Sequence, residues 1–135
     1  AALAQAIAAA IFLARDGRSK DIIRTYIETT FDYDLRLSLA QIREDYELDE
    51  TCQGSVPEAI TAFLESGSFE ESVRNAVSLG GDADTQACIA GAIAEAFYGS
   101  VPDKIETKVR QILPAEMTAI LDKFYAKYVH LRPRM

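Results

Sequence analysis

Apolar residues recur along this chain at spacings of three and four, the period of a helix that buries one face. Residues 1–15 (AALAQAIAAAIFLAR) are rich in alanine, the best helix former, and the run ends near Gly17, which is suited to a C-terminal cap. Ser19 can cap a second helix, with Asp21 in its first turn and Ile22, Ile23, Tyr26, Ile27 and Phe31 as its apolar set. Three pairs then follow the capping-box pattern, in which a hydroxyl and a side chain three residues on satisfy each other's backbone N–H. Ser38 with Gln41 opens a short helix to about Tyr46. Ser55 with Glu58, and Pro57 where its missing N–H costs little, opens a helix through Ala59, Ile60, Phe63 and Leu64 to Gly67. Ser68 with Glu71 opens one with Val73, Val77 and Leu79 on its apolar side. Residues 47–54 read as a connecting loop. Pro102 opens a helix through about Leu113 and Pro114 a last one through about Val129, leaving 131–135 as a frayed tail. No stretch alternates with period two in strand composition, so the pattern predicts an all-α domain of seven or eight helices.

Between the third capping box and Pro102 the pattern changes. From Gln86 to Tyr98 only Gln86 and Glu95 are strongly polar, which predicts a helix buried on nearly all sides and stopped by Gly99. Cys88 within it is expected to be a buried free thiol. In front of that helix stands Ser78-Leu79-Gly80-Gly81-Asp82-Ala83-Asp84-Thr85. The two glycines free the backbone, and two carboxylates and a hydroxyl follow within four residues. Such hard oxygens suit magnesium, manganese or calcium. Asp and Thr are equally ordinary N-terminal helix residues, and spacing alone leaves both readings open, slightly favouring the cap. An EF-hand does not fit, because Gln86 and Ala87 stand where that loop needs a further ligand and a glycine. A phosphoaspartyl-transferase loop does not fit either, since Thr85 follows Asp84 directly and the preceding segment reads as helix.

Composition narrows the partners. With 49% hydrophobic and 26% charged residues the 135-residue chain is globular, and its net charge of -7 disfavours nucleic acid and anionic membrane. A small phosphorylated ligand remains open, because a metal ion can supply positive charge. Cys52 and Cys88 have neither disulfide-scaffold nor metal-site spacing, and no apolar run reaches the ~18 residues of a membrane span, so a cytoplasmic location is expected. Ala1 to Ala14 lacks the charged segment and cleavage site of a signal peptide. A start at Ala1, inside a helical pattern, suggests an excised piece. Gly54 ahead of Ser55 leaves free N–H groups that suit a phosphate or simply a capped helix. His130, the single histidine, is expected at the surface, where it completes no Ser-His-Asp or Cys-His set. Phe63, Phe69, Phe97 and Phe124 fall at core spacing and are expected to pack.

Taken together, Cys52-Gln53-Gly54-Ser55-Val56-Pro57-Glu58-Ala59-Ile60, Ala62-Phe63-Leu64-Glu65-Ser66, the run Phe69 to Leu79, Gly80-Gly81-Asp82-Ala83-Asp84-Thr85 and Ile89 to Gly99 resemble the ADP-ribosylglycohydrolase family. The opening alanine-rich helix and Gly17-Arg18-Ser19-Lys20-Asp21 resemble its middle region, and only the last stretch is weakly covered. The resemblance implies a multi-helix orthogonal bundle with a two-metal centre, usually Mg2+ or Mn2+, that holds the ribose of an ADP-ribosyl group. Members hydrolyse the bond between ADP-ribose and an acceptor. By motif match Asp82, Asp84 and Thr85 are implied metal ligands, and Gly54, Ser55, Gly80 and Gly81 are implied to border the substrate. The family also has an N-terminal half with a glycine-rich segment, a threonine followed by paired aspartates, and an acidic catalytic residue. Nothing in Ala1 to Glu50 matches it, since Glu44-Asp45 lacks the threonine. The expectation is therefore a C-terminal portion that binds metal weakly, does not hydrolyse alone, and self-associates through exposed apolar surface. The alternative is a non-catalytic helical domain for binding or structure, against which the retained Asp82, Asp84 and Thr85 weigh.

Overall fold

The first helix, α1 (Ala2–Arg15), turns Ala6, Ala10 and Ala14 inward, and their small side chains let a neighbouring helix approach closely. The structure is a computed structural model that describes residues 2–46 and 55–129. Its described residues form eight α-helices and one π-helical turn, with no strand, as an all-α domain requires.

Most of the predicted punctuation is present. Gly17, at φ 77°, ends α1, where Gly17 N–H donates to the Ala14 carbonyl and Arg18 N–H to that of Leu13, closing a Schellman cap. Ser19 caps α2 (Lys20–Phe31), accepting from Ile22 N–H. Ser38 and Gln41 form the reciprocal box in front of α3 (Leu39–Tyr46). In α4 (Ser55–Leu64) Ser55 is itself helical rather than a cap; residues 47–54, which precede it, lie outside the described residues. Ser68 caps α5 (Phe69–Ser78), while the Glu71 carboxylate reaches back one residue further than the box pattern, to Gly67 N–H at 2.7 Å. Gly99, at φ 95°, stops α6 (Ala83–Tyr98).

Two expectations about faces are corrected. On α5 the inward residues are Ser72, Ala76 and the following Leu79, whereas Val77 is 51% exposed. Of the expected apolar set Val73 is half-buried and faces Gly91 of α6, and Leu79 is buried, but Val77 turns outward and Ser72 and Ala76 take the inward positions. On α6, Cys88 is exposed, not buried, because it follows Asp84 by four residues and shares its face. The helix is buried along Gln86, Ile89, Ala90, Ile93 and Ala94, not all round.

The contacts divide the chain into two units, Ala1–Ser100 and Val101–Met135. In the first, α6 packs against α1, α4 and α5. Helices α4 and α6 run side by side in the same direction. Gln86 Nε2 donates to Glu58 Oε2 near their N-termini, and the Phe63 and Phe97 rings meet edge to face at 5.4 Å towards their C-termini. Lys20, at the start of α2, fastens the C-terminal end of this pair. Its Nζ donates to the carbonyls of Phe63, Leu64 and Ser66 and to Tyr98 Oη, and lies 4.9 Å from the Phe63 ring centre. A cation against the last carbonyls of α4 also offsets the negative end of the helix dipole.

The second unit holds α7 (Asp103–Ile112), α8 (Ala115–Phe124) and the π-helical turn Tyr125–Val129, so the last predicted helix changes form after Phe124. Arg110 pairs with Glu106 within α7 and ties α7 to α8 through Asp122, each at 2.8 Å. Val109, Ile112, Met117 and Ile120 are exposed there, and Phe124, expected to pack, is 50% exposed.

Candidate metal centre

The loop between α5 and α6 is held at both ends and open between them. Leu79, 4% exposed, anchors one end in the core, and Gln86, fully buried, anchors the other. Gly80 and Gly81 take left-handed conformations in succession, φ 80° and 59°, which side chains rarely adopt. This reverses the chain so that α6 starts at once, with Gln86 N–H donating to the Asp82 carbonyl at 3.0 Å. Gly80, Gly81, Asp82, Asp84 and Thr85 are all exposed.

Asp82 occupies the cap position of α6, yet its side chain makes no cap hydrogen bond. Asp84 Oδ1 accepts from the adjacent Thr85 N–H at 3.0 Å. The Asp82 carboxyl beside it, followed by the backbone N–H groups of Thr85 and Asp84 itself, holds the Asp84 carboxyl below its ordinary value. Asp82 therefore does not make the bond that defines a cap, while Asp84 satisfies one N–H of the first turn.

The Glu58–Gln86 contact brings the first turn of α4, which begins at Ser55, to the same end of the helix pair as this loop. The two stretches singled out in the sequence thus converge, as far as Ser55 goes. Gly54, Cys52 and His130 lie outside the described residues. Two contacts at this end carry no sequence signal of a site. Glu58 reads only as half of a capping box. Arg43 on α3 donates to Ser78 Oγ at 2.6 Å, and Ser78 Oγ donates to the Asn75 carbonyl at 2.7 Å, bracing the end of α5. Among the described residues no group of three or more His, Cys, Asp or Glu is placed to hold a metal ion.

The ADP-ribosylglycohydrolase family profile matches residues 1–133, nearly the whole chain. The chain belongs to this family. No curated protein and no solved structure matches it. The chain has the all-α architecture of the ADP-ribosylglycohydrolase family, whose activity is of the glycosyl-hydrolase kind. The donor set at 82–85 suits the Mg2+ or Mn2+ that such a centre implies: the Asp82 carboxylate not spent on capping, the Asp84 carboxylate with one oxygen on the Thr85 N–H, a neutral hydroxyl, and hard oxygen throughout. It fits as part of a coordination sphere rather than a closed one. No helix among the described residues is long and apolar enough to cross a membrane.

Proposed function

We propose that loop 80–85 is one side of a divalent-metal centre used to hydrolyse the glycosidic bond between ADP-ribose and an acceptor. The observation that carries this reading is the Asp82–Asp84 pair, two residues apart at the mouth of α6, both exposed and with the Asp82 cap bond unmade. Asp82 and Asp84 supply the negative charge, and Thr85 a neutral oxygen. Gly80 and Gly81 carry no side chain, so a sugar can approach the backbone closely. The N-termini of α4 and α6 turn the positive ends of two helix dipoles towards a phosphorylated ligand, with Ser55 at the first of them. When bound, Mg2+ or Mn2+ would orient the ribose hydroxyls and offset charge at the reacting centre. The remaining ligands and the acidic catalytic residue are not assigned to residues 2–46 or 55–129, so the chain by itself is expected to hold metal weakly and to hydrolyse nothing measurable.

Equilibrium dialysis of the chain against ADP-ribose, with and without Mn2+, tests the proposal. ADP-ribose should bind only when Mn2+ is present, and Asp84→Asn should remove that binding. Binding that ignores the metal contradicts the proposal, and no binding under either condition favours a structural helical domain. Release of ADP-ribose by the chain alone would overturn the half-site part of it.

A further inference from the structure

We propose that Glu58 is a positioning residue for the loop that carries Asp82 and Asp84, acting through the side chain of Gln86; its consequence for a cation rests on the metal reading above. Gln86 is the largest polar side chain among the fully buried described residues. A buried amide destabilises a fold unless it is hydrogen-bonded, so its partner matters. Its Nε2 donates to Glu58 Oε2 at 3.2 Å, a bond strengthened by the charge of the acceptor. The backbone of the same residue closes the first turn of α6 on the Asp82 carbonyl. Gln86 therefore joins two functions: it sets where α6 begins and how α6 is turned against α4.

The turning matters because every residue between Leu79 and Gln86 is exposed or half-exposed. Apolar contact at Leu79 is not directional, whereas the Glu58–Gln86 bond is. Slipping α6 by one residue against α4 would rotate it by about 100° and carry Asp84 away from its present face. Glu58 is not itself a further metal ligand in this arrangement: among the described residues it belongs to no group of three metal-binding side chains, and its Oε2 faces an N–H donor. Its carboxylate in the first turn of α4 is held by the helix dipole where the Gln86 amide can find it.

Glu58→Ala and Glu58→Gln separate the roles, since glutamine keeps an acceptor for Gln86 and removes only the charge. Hydrogen exchange at the Gln86 amide of the full chain should speed up about tenfold in Glu58→Ala, with Ile93 in mid-α6 changed less than about twofold. In Glu58→Gln both amides should stay within about threefold of the parent. Equal acceleration at Gln86 and Ile93 marks a general loss of stability and overturns the proposal, as does no acceleration at Gln86. Mn2+ affinity should fall about tenfold in Glu58→Ala and less than about twofold in Glu58→Gln. An equal loss in both variants makes Glu58 a direct ligand and likewise overturns it. A parent chain that takes up no Mn2+ refutes the metal reading of Asp82 and Asp84, and exchange at Gln86 then decides the positioning role by itself.

Discussion

Phe63→Ala is expected to destabilise the first unit by about 3–5 kcal/mol, enough to consume much of the stability of an ordinary domain. Phe63 is fully buried and is the largest fully buried side chain among the described residues. It meets Phe97 of α6 edge to face and lies beneath the Lys20 ammonium, so truncation removes contacts with two other helices. The alanine methyl cannot refill that space, because the parallel α4–α6 pair is also fixed at its N-terminal end by Glu58 and Gln86 and cannot simply close. Urea unfolding followed by circular dichroism measures the effect. A change below about 1 kcal/mol would show that the site collapses freely and that the helix pair is not so held.

Lys20→Met should cost about 3 kcal/mol, chiefly because the carbonyls of Phe63, Leu64 and Ser66 lose a charged donor at the end of α4. Methionine retains much of the aliphatic volume, which isolates the ammonium's part. Lys20→Arg should recover little, because a planar guanidinium does not match carbonyls converging on one nitrogen. Lys20 and Phe63 touch, so the double variant should lose less than the sum of the single changes. Additive losses would mean that the two side chains act separately.

The ladder of helices was readable because its punctuation is local. Gly17, Ser19, Ser38 with Gln41, Ser68 and Gly99 each act within a few residues, and all hold in the structure. Faces were less legible, because they depend on what arrives opposite. Val77 points outward while Ser72 is buried and donates to the Ala90 carbonyl of α6, and nothing within α5 records that neighbour. Cys88 escapes burial for the same reason: the helix is covered on the side of Ile89 and Ile93 and open on that of Asp84. Lys20 was invisible as a clamp because all its partners lie far along the chain.

The candidate site was legible as a cluster and not as an arrangement. Spacing placed Asp82, Asp84 and Thr85 together but could not separate a cap from a ligand set. In the structure the Asp82 side chain makes no cap bond, while Asp84 accepts from the Thr85 N–H. The parallel course of α4 and α6, which brings Ser55 to the same end, required the three-dimensional structure.

Titration of Mn2+ into the chain, with the free ion followed by its electron paramagnetic resonance signal, tests the central claim most directly. The account predicts saturable uptake that falls about tenfold to a hundredfold in each of Asp82→Asn and Asp84→Asn, with helix content unchanged. No uptake by the parent chain, or uptake that both variants leave intact, would contradict it.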